Sequence, residues 1–327
     1  MARSVGVDVG GGTTISALVE DGTIIEQSRS ETGKNPVEVV DVIVEEVDDV
    51  LGKAGIGQKD IEGVGVGVPA FRNPRTGHYR FPNIPSAEDV DLETLTSKKL
   101  KAPYVIGNDA DYTAYGAVNH LQEFGILKDG IGSESMVELV LVTLGTGIGG
   151  GVILKCMGKH MIQSSTGGLT ELGHIKVSSE PEYLCGCGAV GCVEATSSCT
   201  GIVKKVLRSL DSSPEEVRNA FPRGFTAEDV DRLSGMDNTL AEQVMESAGR
   251  HLGLASANII NTYNPSVLAY TGGGASSSPD SIFFTNILST LEANTLPEAW
   301  EAVKVVKNPD AKRYGVLGAA EAALKPF

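Results

Sequence analysis

Residues 138–154, ELVLVTLGTGIGGGVIL, decide the fold, because one β-rich run turns through glycines into a second β-rich run. Residues 4–19, SVGVDVGGGTTISALV, repeat this pattern near the start of the chain. Apolar and β-branched residues favour strands, and glycines permit the tight turns between them. A strand, glycine turn, strand unit that occurs twice predicts an α/β protein of two related lobes with a ligand cleft between them.

Further strands and helices follow each unit. Asn35 and Pro36 are suited to cap and open a helix after the hairpin turn at Asp21-Gly22. Periodicity predicts a long helix from Thr239 to Tyr263 and a short helix from Gly318 to the end. Buried strands are expected at Gly63 to Val68, Pro103 to Ile106 and Val267 to Tyr270. The stretches 125–135 and 211–224 are least typical of regular structure.

The glycine turn at 145–150 fits the pattern G-x-G-x-x-G, which is typical of dinucleotide-binding sites. That site needs a helix after the turn, whereas Val152-Ile153-Leu154 predicts a strand. The chain also has no G-x-x-x-x-G-K-[ST] sequence, so a P-loop is not expected. Glycine hairpins can still bind phosphate through backbone N–H groups, and the alternative is two tight hairpins without a ligand.

Charge and hydropathy restrict the function. The chain has 327 residues and a formal net charge of −15, which disfavours nucleic-acid binding and favours solubility. Asp8 interrupts the first apolar stretch, so a signal peptide is not expected. No run reaches the roughly 18 apolar residues that a membrane span needs. We therefore expect a cytoplasmic protein with no membrane partner.

The five cysteines predict a metal site and no disulfide framework. His174, Cys185, Cys187 and Cys192 supply one nitrogen and three sulfurs, the ligand set of a closed structural zinc site. Cys185 and Cys187 are too close in sequence for an easy disulfide, and nearby glycines let the chain fold around an ion. The alternative is free buried thiols. Cys156 and Cys199 fall outside this pattern and are expected to be core residues.

A resemblance to a known family rests on six motifs in a fixed order. The chain resembles the ROK family (repressors, open reading frames, kinases), and within it the glucokinases, through DVGG at 8–11, NDA at 108–110, LGTGIGGG at 144–151, ELGH at 171–174, CGCG at 185–188 and GCVE at 191–194. The resemblance implies a two-lobed actin-like (ribonuclease H-like) ATPase fold. It implies one lobe of residues 1–112 plus 313–327, and a second lobe of residues 113–312 that carries the zinc loop.

The implied activity is transfer of phosphate from ATP to the 6-hydroxyl of a hexose, most simply glucose. Asp109 follows a predicted strand and would act as the general base, although the residues alone also allow Asn108 and Asp109 merely to cap the next helix. By the resemblance, the sugar is bound by Asn83, Asn108, Asp109, Glu171, His174 and Glu194. The alternative for Asn83 is a turn residue between prolines.

The resemblance also implies ATP with Mg²⁺ as cofactors beside structural Zn²⁺. Asp8 would help to place Mg²⁺, and the glycine turns would contact the nucleotide. The expected nucleotide-contacting residues are Asp8, Gly10, Gly11, Gly12, Thr13, Gly145, Thr146, Gly147, Gly149, Gly272, Gly273 and Gly274. Zinc would fix the loop that carries Glu171 and Glu194. The resemblance also implies a homodimer or homotetramer.

Three departures from the family pattern affect the substrate more than the reaction: the extra glycine in Gly10-Gly11-Gly12, Thr170 in place of a common glycine, and Ser86 near a common tryptophan. Other hexose kinases of the family, for N-acetylmannosamine, N-acetylglucosamine, fructose or mannose, therefore remain open. A non-catalytic sugar-binding protein is a further alternative. A DNA-binding repressor is not expected, because the first phosphate motif begins by Asp8 and the chain is acidic.

Overall fold

The structure, a computed structural model, describes residues 2–81, 89–124, 137–156, 159–161, 171–210, 212–308 and 310–324. Several positions named above lie outside the described residues: Asn83, Ser86, Thr170, the stretch 125–135 and the side chain of Cys156. Within the described ranges, none of the helices is long and apolar enough to cross a membrane.

The first half of the chain forms a five-stranded sheet in the order β3-β2-β1-β4-β7. Strand β1 pairs antiparallel with β2 and parallel with β4, and β4 pairs parallel with β7. Its strands are β1 (Arg3–Val9), β2 (Thr13–Glu20), β3 (Thr23–Glu31), β4 (Gly63–Val68) and β7 (Tyr104–Asn108). A small separate hairpin consists of β5 (Phe71–Arg72) and β6 (Tyr79–Arg80).

The second half forms a sheet of the same design, in the order β10-β9-β8-β11-β12. Strand β8 again pairs antiparallel with the strand after its glycine turn and parallel with β11. Its strands are β8 (Val137–Leu144), β9 (Ile148–Cys156), β10 (Lys159–Met161), β11 (Val267–Thr271) and β12 (Lys304–Asn308). The matching strand orders confirm that the repeated strand, glycine turn, strand unit marks two related sheets.

Helices cover these sheets. They are α1 (Pro36–Lys53), α2 (Leu92–Ser97), α3 (Asp109–Asn119), α4 (Val193–Ser197), α5 (Cys199–Leu210), α6 (Glu215–Asn219), α7 (Ala227–Ser234), α8 (Thr239–Tyr263), α9 (Ile282–Asn294), α10 (Pro297–Ala302) and α11 (Ala311–Leu324). Asn35 caps α1 by accepting hydrogen bonds from Val37 and Glu38. Helix α8 has the predicted bounds, and it ends at left-handed Asn264 just before Pro265.

Two sequence predictions of local structure need correction. The C-terminal helix begins at Ala311, seven residues before Gly318, because fully buried Tyr314 anchors its first turns in the core. Helix α6 and part of α7's leading loop occupy the stretch 212–224, which the sequence predicted to lack regular structure. In both the first turns of α11 and the stretch 212–224, the sequence is largely polar, so its local pattern does not predict a helix.

Helices α3 and α11 pack against each other and connect the two sheets. Helix α11 lies on β1 and β4, whereas α3 lies on β8 and β9. Their close approach needs glycine, because a Cβ at Gly318 would lie 1.8 Å from the carbonyl oxygen of Tyr112. At Gly116 it would lie 2.1 Å from the carbonyl oxygen of Tyr314. The proposed lobe boundaries near 112 and 313 stay a prediction.

Candidate active site and metal centre

Two aspartates meet where the parallel strands of the first sheet end. Asp8 pairs with Gly67 in the register of β1 and β4, and Gly67 pairs with Gly107 of β7, two residues before Asp109. Burial and, to a smaller extent, the nearby charge of Asp109 together raise the pKa of Asp8 to about 7. Burial likewise raises the pKa of Asp109 to about 6. Both carboxyl groups can therefore exchange protons near neutral pH.

Helix α11 fixes the position of the Asp8 carboxylate. A Cβ at Gly315 would lie 2.9 Å from Cγ of Asp8, so any larger residue there would displace the carboxylate. The positive charge of Lys312, one turn earlier, partly offsets the rise in the pKa of Asp8. Neither residue was predictable as part of the site from the sequence, because only the packing of α11 on β1 brings them to Asp8.

Asn108 and Asp109 begin α3, and the capping role considered for them is confirmed for Asn108. Its Oδ1 accepts hydrogen bonds from the backbone N–H groups of Ala110 at 2.9 Å and Asp111 at 3.1 Å. Asp109 is the first helical residue, so its carboxylate lies at the positive end of the helix. The cap uses the oxygen of Asn108 and leaves its NH₂ group as the donor for other partners.

Two glutamates carry the acidic site into the second half of the chain. The pKa of Glu171 is raised to about 7 by the protein that surrounds much of its carboxyl group, although the residue as a whole is exposed, and by the negative charges of Asp109 and Glu194. Glu194 Oε2 accepts a hydrogen bond from the backbone N–H of Ile148 at 3.0 Å. The structure thus brings Asp109, Glu171 and Glu194 into electrostatic contact, as expected of residues that line one site.

The first glycine turn is held by its neighbours and open on its outer side. Thr32 donates a hydrogen bond from its hydroxyl to the carbonyl oxygen of Gly10 at 2.8 Å. A Cβ at Gly11 or Gly12 would meet nothing within 4 Å in the part of the chain that the structure describes. Packing inside the protein therefore does not require glycine at these two positions. This is expected of a turn whose glycines are exposed and available to a ligand.

The glycines of the second turn have two different roles. A Cβ at Gly147 would lie 2.4 Å from Oε2 of Glu194, and one at Gly149 would lie 3.2 Å from Cβ of Ala110 in α3. Gly149 therefore has a packing role, because it lets the first turn of α3 lie against β9. Among the described residues, a Cβ at Gly145 would have no neighbour closer than 4.0 Å, and Thr146 is exposed.

The third glycine cluster lies against the end of β8, next to the second turn. Gly272 has φ +92°, and a Cβ there would lie 2.5 Å from the carbonyl oxygen of Leu144. A Cβ at Gly273 would meet no atom of the described residues within 4 Å. Lys307 of β12 supports this cluster by donating hydrogen bonds to the carbonyl oxygens of Ala275 and Ser277.

Lys307 is another residue that the sequence analysis missed. Its Nζ lies 4.3 Å from the centre of the Phe284 ring, and burial lowers its pKa. The pKa of Asp231 is raised by burial, while its neighbours Ser277 and Lys307 oppose that rise. No local sequence signal marks this arrangement, because β12, α7 and α9 are far apart along the chain.

The four predicted metal ligands come together. Ligand atoms of His174, Cys185, Cys187 and Cys192 all lie within 4.8 Å of one another. The sulfurs of Cys187 and Cys192 are 3.7 Å apart, as are Sγ of Cys185 and Nδ1 of His174. A tetrahedral site with metal–sulfur bonds of about 2.3 Å places two sulfurs about 3.8 Å apart. The cluster therefore fits a tetrahedral metal ion in both donor type and spacing.

The loop that bears these ligands is tied to both the acidic site and the core. Sγ of Cys185 lies 3.5 Å from Oε1 of Glu194, whose other oxygen holds the second glycine turn. Buried Tyr183 accepts a hydrogen bond from Lys205 of α5 at 2.6 Å. Cys199, expected in the core, is half-buried at the start of α5.

The model described as "ROK family" matches residues 4–325 of the chain. The chain belongs to the ROK family. This ROK protein is 31% identical over 323 residues to a glucokinase of Halalkalibacterium halodurans, which covers 96% of this chain and 92% of that relative. It is also 24% identical to the xylose repressor of Bacillus spizizenii, over 99% of this chain and 77% of the repressor.

Among solved structures, the chain resembles a ROK family glucokinase from Streptomyces griseus in complex with glucose and AMPPNP. The TM-score is 0.78 at 23% sequence identity, and the match covers 99% of this chain and 100% of the other. This likeness confirms the predicted two-lobed actin-like α/β fold, and the family match confirms the resemblance on which that prediction rested.

Proposed function

We propose that this ROK protein is an ATP-dependent hexose kinase that phosphorylates the 6-hydroxyl of glucose, with Asp109 as general base. The observation that carries the proposal is the placement of Asp109. Asp109 is the first residue of α3 and lies at the strand ends where Asp8 also lies. Its negative charge contributes to the raised pKa of Glu171. Full-length similarity to proteins named glucokinase supports the same reaction.

Asp109 would accept the proton of the attacking hydroxyl as the phosphoryl group arrives. A general base works best when its pKa lies near the working pH, and the pKa of Asp109 is raised to about 6. Since Oδ1 of Asn108 already caps α3, Asn108 would bind the sugar as a donor through its NH₂ group. The helix end would keep both side chains fixed relative to the hydroxyl.

Glu171, His174, Glu194 and Asn83 would complete the sugar site. Carboxylates bind sugars well because each accepts hydrogen bonds from two neighbouring hydroxyls. Glu194 has one oxygen committed to the backbone of Ile148. Its other oxygen lies 3.5 Å from Sγ of Cys185. Glu194 would therefore bind the sugar through the remaining acceptor capacity of its carboxylate, and it would link the sugar site to the second glycine turn.

ATP would bind along the glycine turns with its phosphates directed at Asp8. Bound Mg²⁺ supplies positive charge that neutralises the phosphates during transfer. Gly11 and Gly12 leave open space for phosphates to approach the backbone. Thr146 and Gly147 would contribute N–H groups from the opposite side, because the N–H of Gly145 already donates to the carbonyl oxygen of Gly147 at 3.0 Å. The Gly272 to Gly274 cluster, supported by Lys307, would contact the adenosine. A cytosolic location would give such an enzyme access to ATP.

We propose that the metal site holds structural Zn²⁺. A Cys₃His set leaves no open coordination position, so the ion would have no direct part in the reaction. Its role would be to fix the loop between His174 and Cys192, and with it Glu171 and Glu194. Cys185 lies beside the carboxylate of Glu194, which supports this link.

The test is ADP release from ATP and Mg²⁺ against a panel of glucose, mannose, fructose, N-acetylglucosamine and N-acetylmannosamine. We expect turnover with glucose, and a loss of about 10²-fold or more in Asp109→Asn. Asp280→Asn, an exposed aspartate, is the matched control and should keep full activity. Turnover with only an N-acetylated sugar would replace the substrate and keep the reaction. Binding of a sugar without turnover would favour a sugar-binding protein.

A further inference from the structure

The β5–β6 hairpin is a positive segment on a negative protein. The chain carries a formal net charge of −15, yet residues 71–80, FRNPRTGHYR, contain three arginines and no acidic residue. Arg72, Arg75 and Arg80 are all exposed. No role in the proposed phosphoryl transfer falls to these side chains, so their clustering needs a separate explanation.

The backbone of this hairpin is well fixed by hydrogen bonds. Asn73 Oδ1 accepts from the N–H groups of Arg75 at 3.0 Å and Thr76 at 3.4 Å. The N–H of Gly77 donates to the carbonyl oxygen of Asn73 at 2.8 Å, and Asn73 donates to that of His78 at 2.8 Å. Gly77 has φ +76°, which favours glycine and closes the turn. The arginines therefore project from a defined frame.

A hollow of about 420 Å³ opens beside this frame. Its walls include Phe71, Asn73, Asp89 and all three arginines. The guanidinium of Arg80 lies 5.3 Å from the centre of the Phe71 ring. The guanidinium of Arg80 is thus held in place by a contact within the hairpin.

The described residues around these arginines offset their charges only in part. None of the three forms an ion pair with any residue that the structure describes. Asp89 contributes one negative charge to the wall, so the described residues that line the hollow carry a net charge of about +2. That charge matches a dianion.

We propose that the β5–β6 hairpin is a binding site for a phosphate group that carries two negative charges. One guanidinium group can donate two parallel hydrogen bonds to two oxygens of a phosphate, and arginine stays charged at every physiological pH. The volume of the hollow accommodates a phosphate together with part of the molecule that bears it. Two sources share this chemistry: a phosphate ester of a sugar, and a short inorganic polyphosphate. The site does not depend on the kinase activity.

The test measures binding of two probes, glucose 6-phosphate and inorganic tripolyphosphate, without Mg²⁺. The variant Arg72→Gln/Arg80→Gln removes two guanidiniums from the hollow. The variant Arg29→Gln/Arg218→Gln removes two exposed arginines elsewhere and matches its net charge. Calorimetric titration should show one binding site fewer in the first variant than in the second, for at least one probe.

Limited trypsin digestion localises the effect, because Arg75 remains in both variants. A probe at ten times its Kd leaves about one tenth of the sites free, so cleavage after Arg75 should slow about tenfold. Cleavage after exposed Arg223 is the internal reference. Protection by tripolyphosphate alone would assign a polyphosphate ligand, and protection by glucose 6-phosphate alone would assign a phosphate ester. Equal binding in the two double variants, or no binding of either probe, would overturn the proposal.

Discussion

Replacing Asp8 by asparagine should stabilise the folded protein more at about pH 8.5 than at about pH 5.5. The pKa of Asp8 is raised from 3.8 to about 7 by burial and by Asp109. A raised pKa in the folded state contributes stability that is present at low pH and is lost as the pH rises through the folded value. Asparagine has no charge to bury, so the variant escapes that loss.

The magnitude follows from the pH window. Between about pH 5.5 and 7, Asp8 is ionised in the unfolded chain but protonated in the folded one. Each pH unit in that window lowers the free energy of unfolding by about 1.4 kcal/mol, so the window contributes about 2 kcal/mol. Because the Asp8 side chain keeps some exposure to solvent, we expect a difference of about 1 to 2 kcal/mol.

Urea unfolding of the two proteins at both pH values, without nucleotide or Mg²⁺, measures this difference. The exposed Asp280→Asn variant serves as the control and should show the same effect at both pH values. The reasoning would be refuted if Asp8→Asn changed the free energy of unfolding by the same amount at about pH 5.5 and 8.5. Ionisation of Asp8 would then not destabilise the folded protein.

Further predictions test separate parts of the site. The value of kcat/KM should fall as the pH drops through about 6, because burial raises the pKa of Asp109 in the free protein to about that value and the protonated acid cannot act as a base. Asp109 would be the wrong base if kcat/KM stayed constant from pH 5 to 8. Gly11→Ala should raise KM for ATP by about tenfold with an unchanged Tm, since its Cβ meets no described atom within 4 Å. Gly147→Ala should lower Tm by several degrees, because its Cβ would lie 2.4 Å from the Glu194 carboxylate. Differential scanning fluorimetry measures both Tm values, and equal values would contradict the assignment of Gly11 as open and Gly147 as packed. Cys187→Ser should bind less than stoichiometric zinc by elemental analysis and unfold at a lower temperature, and a zinc content equal to that of the unchanged protein would exclude the assigned ligand set.

The sequence predicted the parts of this fold that depend on local pattern. Both glycine-turn units, the cap at Asn35 and the bounds of α8 are each encoded within a short stretch of chain. The clustering of the four candidate metal ligands was also predictable, since three of the four lie within eight residues and their chemistry is specific. The resemblance placed Asp109 at the cleft before any tertiary contact was known.

Contacts between distant segments were not predictable in the same way. The close fit of Gly315 to Asp8 and the support that Lys307 gives to the third glycine cluster join elements far apart in sequence. The packing role of Gly149 against α3 was hidden for the same reason, because a glycine-rich turn has the same local pattern whether it contacts phosphate or a helix. The early start of α11 depends on burial of Tyr314 in a core built by other elements.

The central claim is that Asp109 activates a sugar hydroxyl, and single-turnover transfer from ATP to glucose tests it most directly. We predict that Asp109→Asn binds glucose with nearly unchanged Kd but transfers phosphate about 10²-fold or more slowly than the unchanged protein. Transfer at an undiminished rate in Asp109→Asn would contradict the account, since the carboxylate would then have no part in the reaction.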